Sequence, residues 1–124
     1  MVVRGLLDCG EKELAAELAL KTVYAFNKKC SEFINPFDGS AHGVEKYAWS
    51  ASQYLELMIE VIFGIDVNAD KKEVYMNPNL TDSLKHQKLS ITGVMVFEGV
   101  YLDAFIDQGK CSFSISNKDI CQKA

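Results

Sequence analysis

The stretch that decides the fold class is residues 94–116, which read VMVFEGVYLDAFIDQGKCSFSIS. Apolar and polar residues alternate along much of it, and the dipeptides Glu98-Gly99 and Gln108-Gly109 interrupt the run twice. Alternation with a period of two is typical of strands with one buried face, and a short dipeptide ending in glycine is typical of a hairpin turn. The stretch therefore predicts an antiparallel meander of three strands, or of four if Val74–Met76 forms a short strand before it.

The residues before this stretch have a helical pattern instead. A first helix is predicted over Glu11–Cys30, where small and large apolar residues share one stripe. The loop Ser31–Glu45 follows, and its Asn-Pro-Phe-Asp-Gly run predicts a tight turn. A second helix is predicted over Val44–Phe63, with apolar and aromatic residues around most of its circumference. Such a helix needs cover on several sides, so self-association through residues 44–63 is one expectation.

The polar segment Asp66–Lys72 breaks both patterns and is the expected boundary between them. The sequence thus predicts an α+β fold, in which a helical hairpin over residues 1–66 is followed by a small antiparallel β-meander over residues 67–124. A chain of 124 residues and 13.8 kDa has room for one ordinary domain or two small modules.

Composition argues against several classes of function. The formal net charge is −4, and no Lys/Arg cluster supplies the basic face that nucleic acids or anionic membranes require. No apolar run approaches the ~20 residues of a membrane span, and the first ten residues lack the pattern of a signal peptide, so a cytoplasmic location is expected. Four cysteines without a Cys-x-x-Cys pair and two distant histidines predict free thiols, no metal and no cofactor. Cys111 alternates with Phe113 and Ile115 and is expected to be buried.

Candidate chemistry lies in and around the predicted loop. Three carboxylates, a histidine and two aromatic rings occur there: Glu32, Asp38, Glu45, His42, Tyr47 and Trp49. In a sugar site one carboxylate activates water or attacks the anomeric carbon, and another protonates the leaving oxygen, while aromatic rings stack on the pyranose. A carbohydrate is therefore the candidate ligand, with Asp38, Tyr47 and Trp49 as candidate binding residues. The alternative is that the acids are solvated caps and turn residues and that Trp49 belongs to the core.

The order of motifs around this loop carries a resemblance. Glu32 is followed after two residues by Asn35-Pro36-Phe37-Asp38-Gly39, then by Tyr47-Ala48-Trp49-Ser50-Ala51 and Phe63-Gly64-Ile65. In this order the motifs resemble the C-terminal end of the six-hairpin α/α-barrel glycoside hydrolases. The likeness is closest to glycoside hydrolase family 63 and its mannosylglycerate- and glucosylglycerate-hydrolase relatives. It covers residues from about 4 to 66, and the strand half looks like the β-appendage that follows such barrels.

The resemblance implies roles for individual residues. Glu32 matches the family's catalytic base, which activates water in an inverting hydrolysis of gluco- or manno-configured glycosides, and Trp49 matches an aromatic residue of the sugar pocket. The family's general acid is an Asp on a much earlier loop, which no position here matches. We therefore expect the C-terminal portion of a barrel enzyme, inactive alone. A non-catalytic α+β structural or oligomerisation module is the alternative.

Overall fold

The computed structural model describes residues 2–27 and 29–117. Its class is α+β, as the sequence predicts, and it divides into two compact units, the first ending at Ile62 and the second beginning at Phe63. The helices are α1 (Val2–Asp8), α2 (Lys12–Phe26), α3 (Ala48–Glu56), a π-helix (Leu57–Ile62) and α4 (Asp82–Lys85). The strands are β1 (Phe33–Ile34), β2 (Ala41–His42), β3 (Ile65–Asn68), β4 (Glu73–Met76), β5 (Lys88–Phe97), β6 (Val100–Asp107) and β7 (Lys110–Asn117).

Small side chains let the helices of the first unit approach one another closely. Ala15, Ala16 and Ala19 on α2 are at most 2% exposed, and α2 contacts α1, α3 and the π-helix. Methyl side chains let neighbouring helix backbones come near each other, so Ala15 and Ala19 of the predicted stripe form a packing surface together with Ala16. Leu14, which was predicted to share that stripe, is 52% exposed. The helix begins one residue later than predicted and ends at Phe26 rather than at Cys30.

The second predicted helix, Val44–Phe63, has two parts in the structure. α3 begins only at Ala48, because Tyr47 before it is extended, with φ −77° and ψ 118°. From Leu57 the backbone hydrogen bonds widen to the π pattern, in which each N–H reaches the carbonyl five residues back. A single helix over the whole range is therefore a wrong prediction, although most of the range is helical.

Burial differs between the two parts of this helical segment. Leu57, Val61 and Ile62 in the π-helix are at most 4% exposed, whereas Leu55 in α3 is 54% exposed. These apolar side chains of the π-helix are therefore shielded from solvent, whereas apolar side chains of α3 are in part exposed. Self-association through residues 44–63 stays a prediction.

The second unit opens with a hairpin of β3 and β4, which four residue pairs hold antiparallel. The chain enters it through Gly64, which has a left-handed φ of 61° and whose carbonyl accepts the N–H of Asn77 at 2.8 Å. The first three residues of the polar segment Asp66–Lys72 lie in β3. Pairing with β4 satisfies their backbone hydrogen bonds, and this does not depend on the polarity of their side chains. Val74–Met76 lies in β4 and pairs with β3 rather than with the meander.

β5, β6 and β7 form the predicted three-stranded antiparallel meander, in that order. Its turns lie at Glu98-Gly99 and Gln108-Gly109, as the sequence predicts. Gln108 and Gly109 have φ values of 49° and 75°, which is typical of a type I′ turn. The central strand β6 buries one face almost completely, with exposures of 0–1% at Leu102, Ala104 and Ile106.

The outer strand β7 is exposed along its whole length. Cross-strand pairing places Cys111, Phe113 and Ile115 on the same face as the buried β6 residues. Phe113 is nonetheless 41% exposed and Ile115 49% exposed, and Cys111 is exposed as well. The prediction that Cys111 is buried is wrong, because alternation identifies which side chains share a face but not whether an edge strand is covered.

Candidate functional site

The candidate site lies in residues 29–50, which we name the carboxylate hairpin. The predicted loop contains a short hairpin of β1 and β2, with two residue pairs. Its tip turns as predicted, since Gly39 has φ 70° and donates its N–H to the Asn35 carbonyl at 2.9 Å. The Asn35 side chain also accepts the N–H of Phe37 at 2.9 Å. The tip is therefore held by its own polar groups rather than by burial.

Backbone hydrogen bonds continue below β1 and β2 and bring the two arms of the carboxylate hairpin together. The N–H of Glu32 donates to the Val44 carbonyl at 2.9 Å, and the N–H of Tyr47 donates to the Cys30 carbonyl at 2.7 Å. Glu32 and Tyr47 are fifteen residues apart in sequence and yet lie on adjoining backbone segments. The structure thus brings together two residues that the sequence singles out separately.

A buried side-chain hydrogen bond joins the hairpin to the first turn of α3. The Ser50 hydroxyl donates to the Ser31 carbonyl at 2.6 Å, and both serines are at most 5% exposed. Glu32 and Trp49 are the immediate chain neighbours of these serines. The bond therefore holds together the two backbone segments that carry Glu32 and Trp49. The sequence did not indicate that Ser31 or Ser50 has this positioning role.

Glu32 is exposed and accepts a long hydrogen bond at its Oε2 from the N–H of Val44, at 3.3 Å. Gly43 lies directly beside it, with a left-handed φ of 77°. A Cβ at position 43 would come within 2.7 Å of Glu32 Oε2 and 2.9 Å of a Phe33 ring carbon. Glycine is therefore required for Glu32 to occupy this place, a role that the sequence analysis missed.

Asp38 is at the exposed tip, where it organises the turn. Its Oδ1 accepts the backbone N–H of Ser40 at 2.8 Å and the Ser40 hydroxyl at 2.6 Å. These bonds, led by the hydroxyl, lower the pKa of Asp38 below its ordinary value, and the nearby His42 contributes further. The Ser40 hydroxyl also lies 2.9 Å from His42 Nε2, and the His42 ring stacks on Phe33 with 6.1 Å between centroids. Asp38 thus favours its ionised form and is hydrogen-bonded to Ser40 within the tip.

Glu45, the third carboxylate, is paired with a cation. Lys29 Nζ lies 2.5 Å from Glu45 Oε1, and both side chains are more than half exposed. The hydrogen bond from Lys29 lowers the pKa of Glu45 below its ordinary value. Asp38 and Glu45 therefore both favour the charged form, and neither is suited to hold a proton at neutral pH.

The two aromatic candidates form a tilted pair at the start of α3. Tyr47 and Trp49 have ring centroids 6.0 Å apart and planes inclined by 54°. Trp49 is 78% exposed and Tyr47 is half-buried. The alternative that Trp49 belongs to the core is wrong, because its position on the outer side of the first turn of α3 leaves the indole in solvent. An exposed indole can stack on the apolar face of a ligand.

Among residues 2–27 and 29–117, no group of three His, Cys, Asp or Glu side chains is placed to hold a metal ion. Cys9, Cys30 and Cys111 are free thiols, and Cys121 lies outside the described residues. Within residues 2–27 and 29–117, none of the helices combines the length and the hydropathy that a membrane span requires.

The carboxylate hairpin offers an exposed acid, an exposed indole and two carboxylates that are already engaged. This arrangement can accept a proton at Glu32 and stack a flat apolar ligand face on Trp49. Comparison with known proteins finds no family model, no curated protein and no solved structure that matches the chain.

Proposed function

We propose that the first unit supplies the last helical hairpin of a six-hairpin α/α-barrel glycoside hydrolase. In this proposal Glu32 is the catalytic base of an inverting reaction on a gluco- or manno-configured glycoside. One observation carries it. The exposed carboxylate of Glu32 and the exposed indole of Trp49 are carried on neighbouring segments that the buried Ser50–Ser31 bond holds together. A carboxylate beside a stacking ring is the combination that hydrolysis of a pyranoside needs.

Glu32 acts on water in this reaction. Its carboxylate accepts a proton while the water oxygen attacks the anomeric carbon, and the bond to the leaving oxygen breaks on the opposite face of the sugar. The Val44 N–H engages Oε2, so Oε1 is the oxygen that accepts the proton. Gly43 supports the role because any larger residue would displace the Glu32 side chain.

Trp49 and Tyr47 hold the sugar. The Trp49 indole stacks on the apolar face of the pyranose, and the inclined Tyr47 ring bounds the same position from the side. Asp38 is a candidate for binding sugar hydroxyls at the tip, where its ionised carboxylate can accept hydrogen bonds from them.

The general acid has to come from elsewhere in the barrel. An inverting site places its second carboxyl group about 6.5–9.5 Å from the base, and that group must carry a proton. Asp38 and Glu45 are the other carboxylates of the carboxylate hairpin, and both have lowered pKa values. Neither meets the requirement, which supports the expectation that this chain does not cleave ordinary glycosides alone.

Glycosyl fluorides test the base separately from the acid, because fluoride leaves without being protonated. We expect the chain to release fluoride from one anomer of glucosyl or mannosyl fluoride and to leave the methyl glycosides intact. Glu32→Gln should lower the release by about 100-fold or more, the usual contribution of a general base. Glu98→Gln, in the turn between β5 and β6, is the matched control and should leave the rate unchanged. Release that stays at background, or that survives Glu32→Gln, would overturn the role of Glu32.

Sugar binding is measured through Trp49, the only tryptophan of the chain. Methyl glucoside or methyl mannoside should change its fluorescence saturably, and Tyr47→Ala should weaken the binding. Tyr75→Ala is the control, because Tyr75 is a tyrosine of the second unit, where it is 51% exposed. Emission unaffected by either sugar, with the circular dichroism of a folded chain, would exclude a sugar site at Trp49.

A non-catalytic structural or oligomerisation module remains the alternative, and one observation favours it. The edge strand β7 exposes Phe113 and Ile115, which is typical of a pairing surface and is unrelated to Glu32.

A further inference from the structure

We propose that β7 is an interaction surface for a second copy of this chain, and that two copies pair edge to edge through β7 in antiparallel orientation. In the described residues, β7 pairs with β6 along one edge and has no strand on the other. All eight of its residues are exposed. An open edge of this kind presents a row of backbone donors and acceptors to another strand.

The opposite edge of the same sheet is different. Pairing of β5 with β6 shifts register twice, between Ile91 and Val94 and again between Met95 and Phe97. Gly93, at φ 72°, lies in the first shift and donates its N–H to a carboxylate of β6 at 2.8 Å. Such bulges make an edge unsuitable for pairing with another chain. β7 has no bulge, since its eight pairs with β6 follow one another without a shift.

The turn before β7 determines which of its backbone groups face outward. The two-residue type I′ turn at Gln108-Gly109 makes Asp107 and Lys110 a hydrogen-bonded pair. Hydrogen-bonded and non-hydrogen-bonded pairs alternate along an antiparallel ladder. The N–H and C=O groups of residues 110, 112, 114 and 116 therefore point toward β6. Those of residues 111, 113, 115 and 117 point to the open edge.

One self-pairing uses all four outward residues. When Ser114 of each copy lies opposite Ser114 of the other, residue 111 pairs with 117 and residue 113 with 115. Each of the four pairs then exchanges two bonds, which makes eight in total. If Phe113 of each copy instead lay opposite Phe113 of the other, residue 117 would lie opposite Gly109 of the turn. The number of full pairs would then fall to three. The Ser114-centred register is therefore preferred.

The side chains of β7 fit this register. Phe113 of one copy lies opposite Ile115 of the other on the apolar face, and Ser112 lies opposite Ser116 on the polar face. Both are favourable cross-strand pairs. Lys110 is the only charged residue of the strand. Antiparallel pairing places the two Lys110 side chains at opposite ends, whereas parallel pairing would place them side by side.

The interface of one strand from each copy is smaller than the ~1,600 Å² of a standard stable complex. The dimer should therefore dissociate on dilution, and sedimentation should give a mass that rises with concentration from 13.8 kDa toward twice that value. In the Phe113→Lys/Ile115→Lys double variant, each new lysine lies opposite another. We expect its dissociation constant to rise at least 10-fold.

Met95→Lys is the matched control, because it replaces a residue that is 64% exposed on the bulged edge. It should associate like the wild type. A wild-type chain that stays monomeric at millimolar concentration would overturn the proposal. Association that is unchanged in the β7 double variant would also overturn the proposal. It would indicate that the interface is on another surface, such as residues 44–63.

Disulfide cross-linking tests the register without changing stability much. With the four native cysteines replaced by serine, Ser114→Cys should form an intermolecular disulfide, since non-hydrogen-bonded partners have Cα atoms about 4.5 Å apart. Ser112→Cys should not, because the two copies of residue 112 would be four residues, or about 13 Å, out of register. Equal cross-linking at both positions would contradict the proposed pairing.

Discussion

Two glycines, Gly43 in the carboxylate hairpin and Gly64 at the start of the second unit, adopt the same left-handed conformation for different reasons. A Cβ at position 43 would meet atoms of the Glu32 and Phe33 side chains at 2.7–2.9 Å. A Cβ at position 64 would lie 1.8 Å from the backbone oxygen of Asn77. Side chains can rotate away and a paired backbone cannot. Gly64 therefore serves the fold, whereas Gly43 serves the placement of one carboxylate.

The largest effect is expected at Gly64. Gly64→Ala should lower the free energy of unfolding by about 3 kcal/mol, because left-handed strain of ~1–2 kcal/mol adds to the displacement of Asn77. Gly93→Ala is the control, since Gly93 also has a left-handed φ, of 72°, but no neighbour within 4 Å of its Cβ position. Urea unfolding of both variants measures the difference. If the two variants lost the same free energy of unfolding, the closeness of the Asn77 backbone to position 64 would add nothing to the cost of the substitution.

Ser50→Ala should come next, with a loss of about 2 kcal/mol. It removes the hydroxyl that donates to the carbonyl of the buried Ser31, and leaving a buried acceptor without its donor costs about 1–3 kcal/mol. The exposed Ser52 on α3 gives the control, since Ser52→Ala should change stability by less than ~0.5 kcal/mol. Thermal unfolding of the two variants makes the comparison, and a Ser50→Ala variant as stable as Ser52→Ala would show that the hairpin does not depend on this bond.

Gly43→Ala should have a smaller effect on stability and a larger one on chemistry. The expected loss is ~1–2 kcal/mol of left-handed strain, because the Glu32 side chain can move aside. Gly39→Ala has the same kind of strain, at φ 70°, with no neighbour within 4 Å. Only Gly43→Ala should abolish release of fluoride from the glycosyl fluoride. If both variants release fluoride at the wild-type rate, Gly43 does not position Glu32.

The smallest effect concerns Asp38. Its pKa is lowered in the folded chain, so the stability it contributes is present at neutral pH and is lost as the pH falls below 3.8 through the folded value. Carboxyl NMR titration should show the lowered pKa. Ser40→Ala should raise it part of the way back, because the hydroxyl bond is lost and the backbone N–H bond is kept. His42→Ala should raise it less, and the reverse order would contradict the assignment of causes.

Regular features of this fold were predictable because a repeating pattern encodes them. The alternation over residues 94–116 and the two glycine turns predicted the meander, and the turn at Gly39 followed from Pro36 and Gly39. The short helix α4 has four residues and no period to detect. The shift to a π-helix at Leu57 likewise leaves no mark in the apolar pattern.

The candidate site was predictable in its residues but not in its geometry. The sequence placed Glu32, Asp38, Tyr47 and Trp49 in one region, and the resemblance assigned a role to two of them. It could not distinguish Asp38, whose Oδ1 accepts two short hydrogen bonds from Ser40, from Glu32, whose Oε2 accepts one long bond from the Val44 N–H. Hydrogen bonds between side chain and backbone decide that difference, and they depend on distances of a few tenths of an ångström.

By itself the sequence determined the α+β class, the two glycine turns of the meander and the presence of a turn between two helical segments, because these follow from local periodicity and from the φ values that proline and glycine adopt. Only the tertiary structure decided which apolar residues are covered. Leu102 and Phe113 lie on one face of one sheet with similar patterns around them, yet one is buried and the other exposed. Burial depends on what packs against a strand, and neither residue's neighbours in the chain carry that information.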